Sequence, residues 1–276
     1  MFPVVFRIGR FFLPGYGLLV ALGFLVALWM AGRLSRRAGL DVDSVLNLGI
    51  YTAIAAMLGA KLFMLALDAD YYLRYPGEIF SISTLLAGGV FYGGLIAGLV
   101  TAFFYLRRSK LPGLITADIF APAIALGHAI GRVGCFAAGC CWGAPSHLPW
   151  AVTFTNPAAH DLVGVPLGIP LQPTQLYEAA AEAIIFALLY WRFARPHRPG
   201  AIIGLYLILY PSVRFLVEFV RAHDNLNPYL GPFVAEQWVA LGLIALGVYL
   251  LRRPRPAPAP VPPPAAKPRP ARRKGK

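Results

Sequence analysis

The stretch GRVGCFAAGCCWG, residues 131–143, sets Arg132 between glycines and follows it with Cys135, Cys140 and Cys141. Arginine is the side chain that grips phosphate with two parallel hydrogen bonds, and cysteine serves as nucleophile, disulfide half or metal ligand. Further on, QPTQLYE, residues 172–178, brings Gln175, Tyr177 and Glu178, and Glu182 follows one helical turn later. Arg214 and Glu218 are four residues apart, on one face of a helix. Tyr16, Tyr92 and Tyr210 add hydroxyls, and Lys61 another cation. Together these groups suit a polar cavity, in which each ionisable side chain is either paired or functional.

The elements that must position them are apolar. The chain has 276 residues, 58% hydrophobic and only 13% charged, against about 25% charged in soluble domains. Apolar runs near 20 residues recur, each long enough to cross a hydrocarbon core. The expected fold is an all-α polytopic membrane protein with seven transmembrane helices, at about 14–32, 45–67, 85–106, 115–137, 174–193, 200–220 and 233–251. One transmembrane domain over 1–253 is expected. Residues 254–276, rich in Pro, Ala, Lys and Arg, read as a disordered cytoplasmic tail able to touch anionic lipid head groups.

The formal net charge of +13 is concentrated in that tail and in three clusters: Arg33, Arg36, Arg37; Arg107, Arg108, Lys110; and Arg192, Arg195, Arg198. With seven spans these fall on one side, which the positive-inside rule makes cytoplasmic, leaving the amino terminus outside. The charge therefore does not point to nucleic acid, for which no folded reading module is present.

Ionisable groups inside spans are costly and mark functional sites by default. Although the chain alternates direction, Tyr16, Lys61, Tyr92, Arg132, Gln175, Glu178, Glu182, Tyr210, Arg214, Glu218, Glu236 and Gln237 come out at one level, near the outer leaflet. A polar cavity opening outward is expected there. Glu178 and Glu182 share a sign and need outside partners, with Lys61 or Arg132 the candidates. Arg214 and Glu218 can also simply neutralise each other. Asp118, near the cytoplasmic end of the fourth span, is the exception and reads as an end cap. In AGGVFYGGLIAG, residues 87–98, Gly94 and Gly98 read as helix-packing residues, and Gly88 and Gly89 as a turn offering backbone N–H groups to the cavity.

The cysteines leave four readings open, the least favoured being a nucleophilic thiol activated by Arg132, eight positions before Cys140, if the loop folds back. A zinc site needs about four ligands, and this spacing, even with His128 or His147 added, matches no common pattern. A disulfide with one thiol left over suits an oxidising compartment. Packing of a glycine turn by small, weakly polar side chains is the reading preferred. Nothing in the sequence calls for a cofactor or a resident metal.

Five stretches in register resemble one family, the prolipoprotein diacylglyceryl transferases of the bacterial inner membrane. PGYGLLVALGF is similar to its first span, FYGGLIAG to its histidine-glycine-glycine-leucine stretch, and GRVGCFAAGCCWG to its signature. QPTQLYE and YPSVRFLVEFVR, residues 210–221, resemble its two later motifs. The resemblance implies transfer of the diacylglyceryl group of phosphatidylglycerol to the lipobox cysteine of a preprolipoprotein signal peptide, with glycerol phosphate leaving.

By that resemblance Arg132 binds the lipid head group and Arg214 stabilises the departing phosphate. Glu218 orients Arg214, and Tyr16 and Tyr210 hydrogen-bond the glycerol or phosphate. Gln175 and Glu178 fall at substrate-binding positions. Tyr92 stands where many members carry the histidine proposed as base, and tyrosine is a poor base near neutrality. Cys135 and Cys140 replace the signature's asparagine and acidic residue, and Gln172 takes the place of a frequent histidine. These departures motivate a second reading, a relative with another acceptor or a lipid binder without transfer. A transporter fits less well, because the polar layer lies in one leaflet and no duplicated half is visible.

Overall fold

The computed structural model describes residues 4–8, 11–81, 84, 89–222, 229, 230 and 232–254. The basic tail therefore lies almost wholly outside the described residues, as does Gly88. The chain is mostly helical. Helix α1 spans Gly15–Ala38, α2 Val42–Leu67, the short α3 Ala69–Arg74, α4 Phe91–Arg108 and α5 Gly113–Ala138. After the single-turn-scale α6, Pro157–Val163, come α7 Thr174–Phe193, α8 Ala201–Val217 and α9 Ala235–Arg252. Three two-stranded antiparallel pairs join or flank them: β1 (Val4–Ile8) with β2 (Phe11–Pro14), β3 (Val152–Thr153) with β4 (Pro170–Leu171), and β5 (Tyr229–Leu230) with β6 (Phe233–Val234).

Among the described residues, five helices are long and apolar enough to cross a membrane: α1, α2, α5, α9 and the helix Ala201–Val220, which is α8 continued by a 3-10 turn. Helices α4 and α7, of 18 and 20 residues, complete the set of long helices. Large apolar side chains cover the outside, with Met57 72%, Leu62 66% and Leu99 63% exposed. A water-soluble monomer does not carry such a surface; hydrocarbon accepts it.

Helix α5 is the hub, packing against α1, α7 and α8. Its inward residues are small, among them Ala121, Ala123, Ala125 and Ala129, so three helices approach it closely. In lipid this association comes from van der Waals packing rather than exclusion of water. A Cβ on Gly23 of α1 would lie 2.7 Å from the Gly127 carbonyl oxygen, and one on Gly127 would lie 2.9 Å from that of Gly23. The two backbones thus touch where neither side chain exists. Ile119, Leu34, Leu189 and Ile202 fill the core around this crossing.

Helix α4 packs mainly on α2. Gly94 lies against the Ala56 backbone, as small-residue packing requires, while Gly98 makes only ordinary contacts with Thr52 and Ala56. Gly89 has φ +75° and lies against the backbone of Ala60, whose oxygen accepts from Val90 N–H at 3.0 Å. This N–H serves helix packing rather than an open cavity.

Asp118 is fully buried on α5, and its carboxylate accepts from the backbone N–H groups of Gly200 at 2.7 Å, Ile202 at 2.9 Å and Ile203 at 2.8 Å. It caps α8, a different helix, and satisfies donors that a helix start leaves orphaned.

Candidate functional site

Helix α5 stops at Gly139, whose φ of +84° lets Gly139 N–H and Cys140 N–H both donate to the Cys135 carbonyl. Cys141 is also left-handed, at φ +60°, a conformation that costs a residue with a side chain about 1–3 kcal/mol. The turn is held from α7: Gln175 Nε2 donates to the Cys140 carbonyl and Thr174 Oγ1 to that of Cys141, each at 2.7 Å. Gln175 is completely buried in this role. The three cysteines are free, and their sulfurs all lie within 4.8 Å of one another. They pack the turn as a group of three ligand atoms, one fewer than a structural zinc site takes.

Two turns before that cap, Arg132 is 12% exposed, and its Nη2 lies 2.5 Å from Oε2 of the buried Glu178 on α7. Its Nε has no partner within the protein. On α8, Arg214 is ion-paired to Glu218, and both are largely buried. Tyr210, one turn before Arg214, is in electrostatic range of Arg132, Glu178, Glu182 and Arg214. Its ring stacks on that of Tyr206 at 5.8 Å and meets the His128 ring edge-on at 5.0 Å. Three helices therefore bring two guanidinium groups, three carboxylates and a tyrosine hydroxyl together. Tyr16, at the start of α1, is 44% exposed and shares with Arg132, His128 and Cys135 a pocket of about 340 Å³.

Other residues expected at the site have different partners. Tyr92 is 47% exposed on α4, and its ring meets that of Phe91. Lys61 Nζ donates to the Thr84 carbonyl at 2.5 Å. Gln237 links the start of α9 to the end of α8, accepting from Val234 N–H and donating to the Phe215 carbonyl. The partner of Glu182 is His128, whose Nδ1 lies 2.7 Å from Oε1, a pair that spacing did not suggest.

A two-charge site of this kind, with one arginine donor left open, can clamp a phosphodiester and take up charge on a leaving phosphate. The family model described as prolipoprotein diacylglyceryl transferase matches residues 3–253. The phosphatidylglycerol–prolipoprotein diacylglyceryl transferase of Clostridium tetani is 33% identical over 251 residues, covering 91% of this chain and 96% of that protein. The protein of the same name from Cupriavidus pinatubonensis is 35% identical, covering 90% of each chain. That from Nitratidesulfovibrio vulgaris is 36% identical, covering 92% of this chain and 94% of its own. With the match running through every helix described above, the chain belongs to the prolipoprotein diacylglyceryl transferase family.

Proposed function

We propose that this chain transfers the diacylglyceryl group of phosphatidylglycerol to the lipobox cysteine of preprolipoproteins, as a multi-pass enzyme of the bacterial inner membrane. The observation that carries the site assignment is the pair of buried arginines, Arg132 and Arg214, each held by a carboxylate from within the helix cluster. Burying a guanidinium is costly unless it is paired, and Arg132 Nε is still open. Arg132 grips the lipid head group through that open edge. Arg214, oriented by Glu218, stabilises the phosphate as it departs, and Tyr16 and Tyr210 hydrogen-bond the glycerol or phosphate oxygens. Glu178 sets the Arg132 side chain, and Gln175 supports the substrate site through the turn it binds. The acceptor reacts as a thiolate: sulfur bonds to the glyceryl carbon, that carbon's bond to phosphate oxygen breaks, and glycerol phosphate leaves. Tyr92, on α4, contributes to the region the acceptor peptide crosses.

In this reading α1, α2, α4, α5, α7, α8 and α9 are the seven spans. The amino terminus is outside, and the basic loops and the tail from residue 254 are cytoplasmic. The test is expression in cells depleted of their own transferase. A model lipoprotein gains the diacylglyceryl mass if the reading holds; no gain from a folded, membrane-inserted protein overturns it. The exposed position of Tyr92 favours one alternative, a lipid binder without transfer. It would show as phosphatidylglycerol co-purifying with the protein while the lipoprotein mass stays unchanged.

A further inference from the structure

The transferase reading needs a group that takes the acceptor's proton, and tyrosine is a poor base near neutrality. His128 is a better one. It lies one turn before Arg132 on α5, so both side chains share a face, and both line the 340 Å³ pocket with Tyr16. Its side chain is 27% exposed, whereas its partner Glu182 is fully buried. Glu182 Oε1 lies 2.7 Å from Nδ1; with Glu182 ionised, Nδ1–H donates to it and the neutral ring keeps the Nε2 lone pair free.

Tyr210 on α8 meets the His128 ring edge-on at 5.0 Å, and Arg132 on its own helix and Tyr16 on α1 line the same pocket. Tyr206 O–H donates to the same Glu182 oxygen at 3.4 Å. Glu182 Oε2 has no partner. A buried carboxylate left this way gains when its neighbour becomes an imidazolium, which is how a buried acid supports a histidine base.

We propose that His128, oriented by Glu182, is the base that deprotonates the acceptor cysteine in this chain; this rests on the transferase reading. The S–H proton passes to Nε2, the thiolate sulfur bonds to the glyceryl carbon, and the carbon–oxygen bond to phosphate breaks. The proton held on His128 then passes to the departing glycerol phosphate, so the histidine is regenerated and charge balances. His128 is the catalytic residue and Glu182 a positioning residue.

The test uses the full-length protein in phosphatidylglycerol vesicles with two lipobox peptides, one with cysteine and one with selenocysteine at the acceptor position. A selenol ionises at neutral pH without help, so it bypasses the base. His128→Gln should lower transfer to the cysteine peptide by about 10²–10⁴-fold and leave transfer to the selenocysteine peptide near the unaltered protein's rate. Glu182→Gln should show the same selectivity with a smaller loss, and decides the matter if the His128 variant fails to fold. Equal losses on both peptides, or no loss on the cysteine peptide, would overturn the proposal. An unaltered protein that modifies neither peptide would instead overturn the transferase reading, and this inference with it.

Discussion

The two ends of α5 each bury a charge, and they treat it differently. At one end Asp118 spends its carboxylate on three backbone N–H groups of α8. At the other end Arg132 meets a side chain, Glu178, and keeps Nε unpartnered. Backbone donors fixed in a helix start cannot be exchanged for a ligand without unravelling that start, so Asp118 belongs to the fold. A side-chain ion pair with an open donor can accept a ligand's oxygen at small structural cost. Burial alone does not separate these cases; the kind of partner does.

Substitutions at the two ends should therefore fail in opposite ways. The largest effect is expected from Arg132→Ala and Arg214→Ala. Each should lower diacylglyceryl transfer by at least about 10²–10³-fold, the loss that follows removal of a charge-stabilising donor. Transfer is read per folded molecule, since each change also leaves a buried carboxylate without its cation. Asp118→Ala should do the reverse. Leaving the α8 start uncapped costs about 1–3 kcal/mol, seen as a lower thermal midpoint, with the transfer rate per folded molecule preserved. If Asp118→Ala abolished transfer at full stability, the division between the two ends would be wrong.

Gly127→Ala tests the middle of the same helix. Its new methyl group must displace the Gly23 backbone, an overpacking that costs about 1–3 kcal/mol, again read as thermal stability. The smallest effect is expected from Cys135→Ala combined with Cys140→Ala, because these thiols pack a turn whose carbonyls are held from α7. A loss of transfer as complete as that of the arginine variants would promote the cysteines from packing to chemistry.

The long helices were legible because hydropathy and spacing act along the chain. Arg214–Glu218 is a one-turn pair, visible in four residues. Arg132 with Glu178 was among the pairings expected, since a lone buried charge demands a partner. His128–Glu182 was not legible: its members are 54 residues apart, and no periodicity tells which face of α5 meets which face of α7. Asp118 was read as an end cap, but the end it caps is that of a helix more than 80 residues later. The third span was drawn from residue 85, whereas α4 begins at Phe91, after a left-handed Gly89 lying on α2. The small apolar cluster of Phe154, Ala159, Val165 and Leu171 between α5 and α7 was missed, because its strands have two residues each and show no alternation.

The segment just beyond α5 is laced to two other helix ends by backbone hydrogen bonds. Gly143 N–H donates to the Gln172 carbonyl, Gln172 N–H to that of Ala144, Ala144 N–H to that of Val220, and Ala222 N–H to that of Trp142. This ladder clamps the neighbouring ends of α5, α7 and α8 at one height along their axes. A helix can otherwise slip by a turn, about 5.4 Å, while keeping its apolar face buried. Such a slip would carry Arg132 out of reach of Glu178. The ladder thus sets the axial register of three helices, and the alignment of the opposed charges follows from strand-like pairing outside the helices themselves.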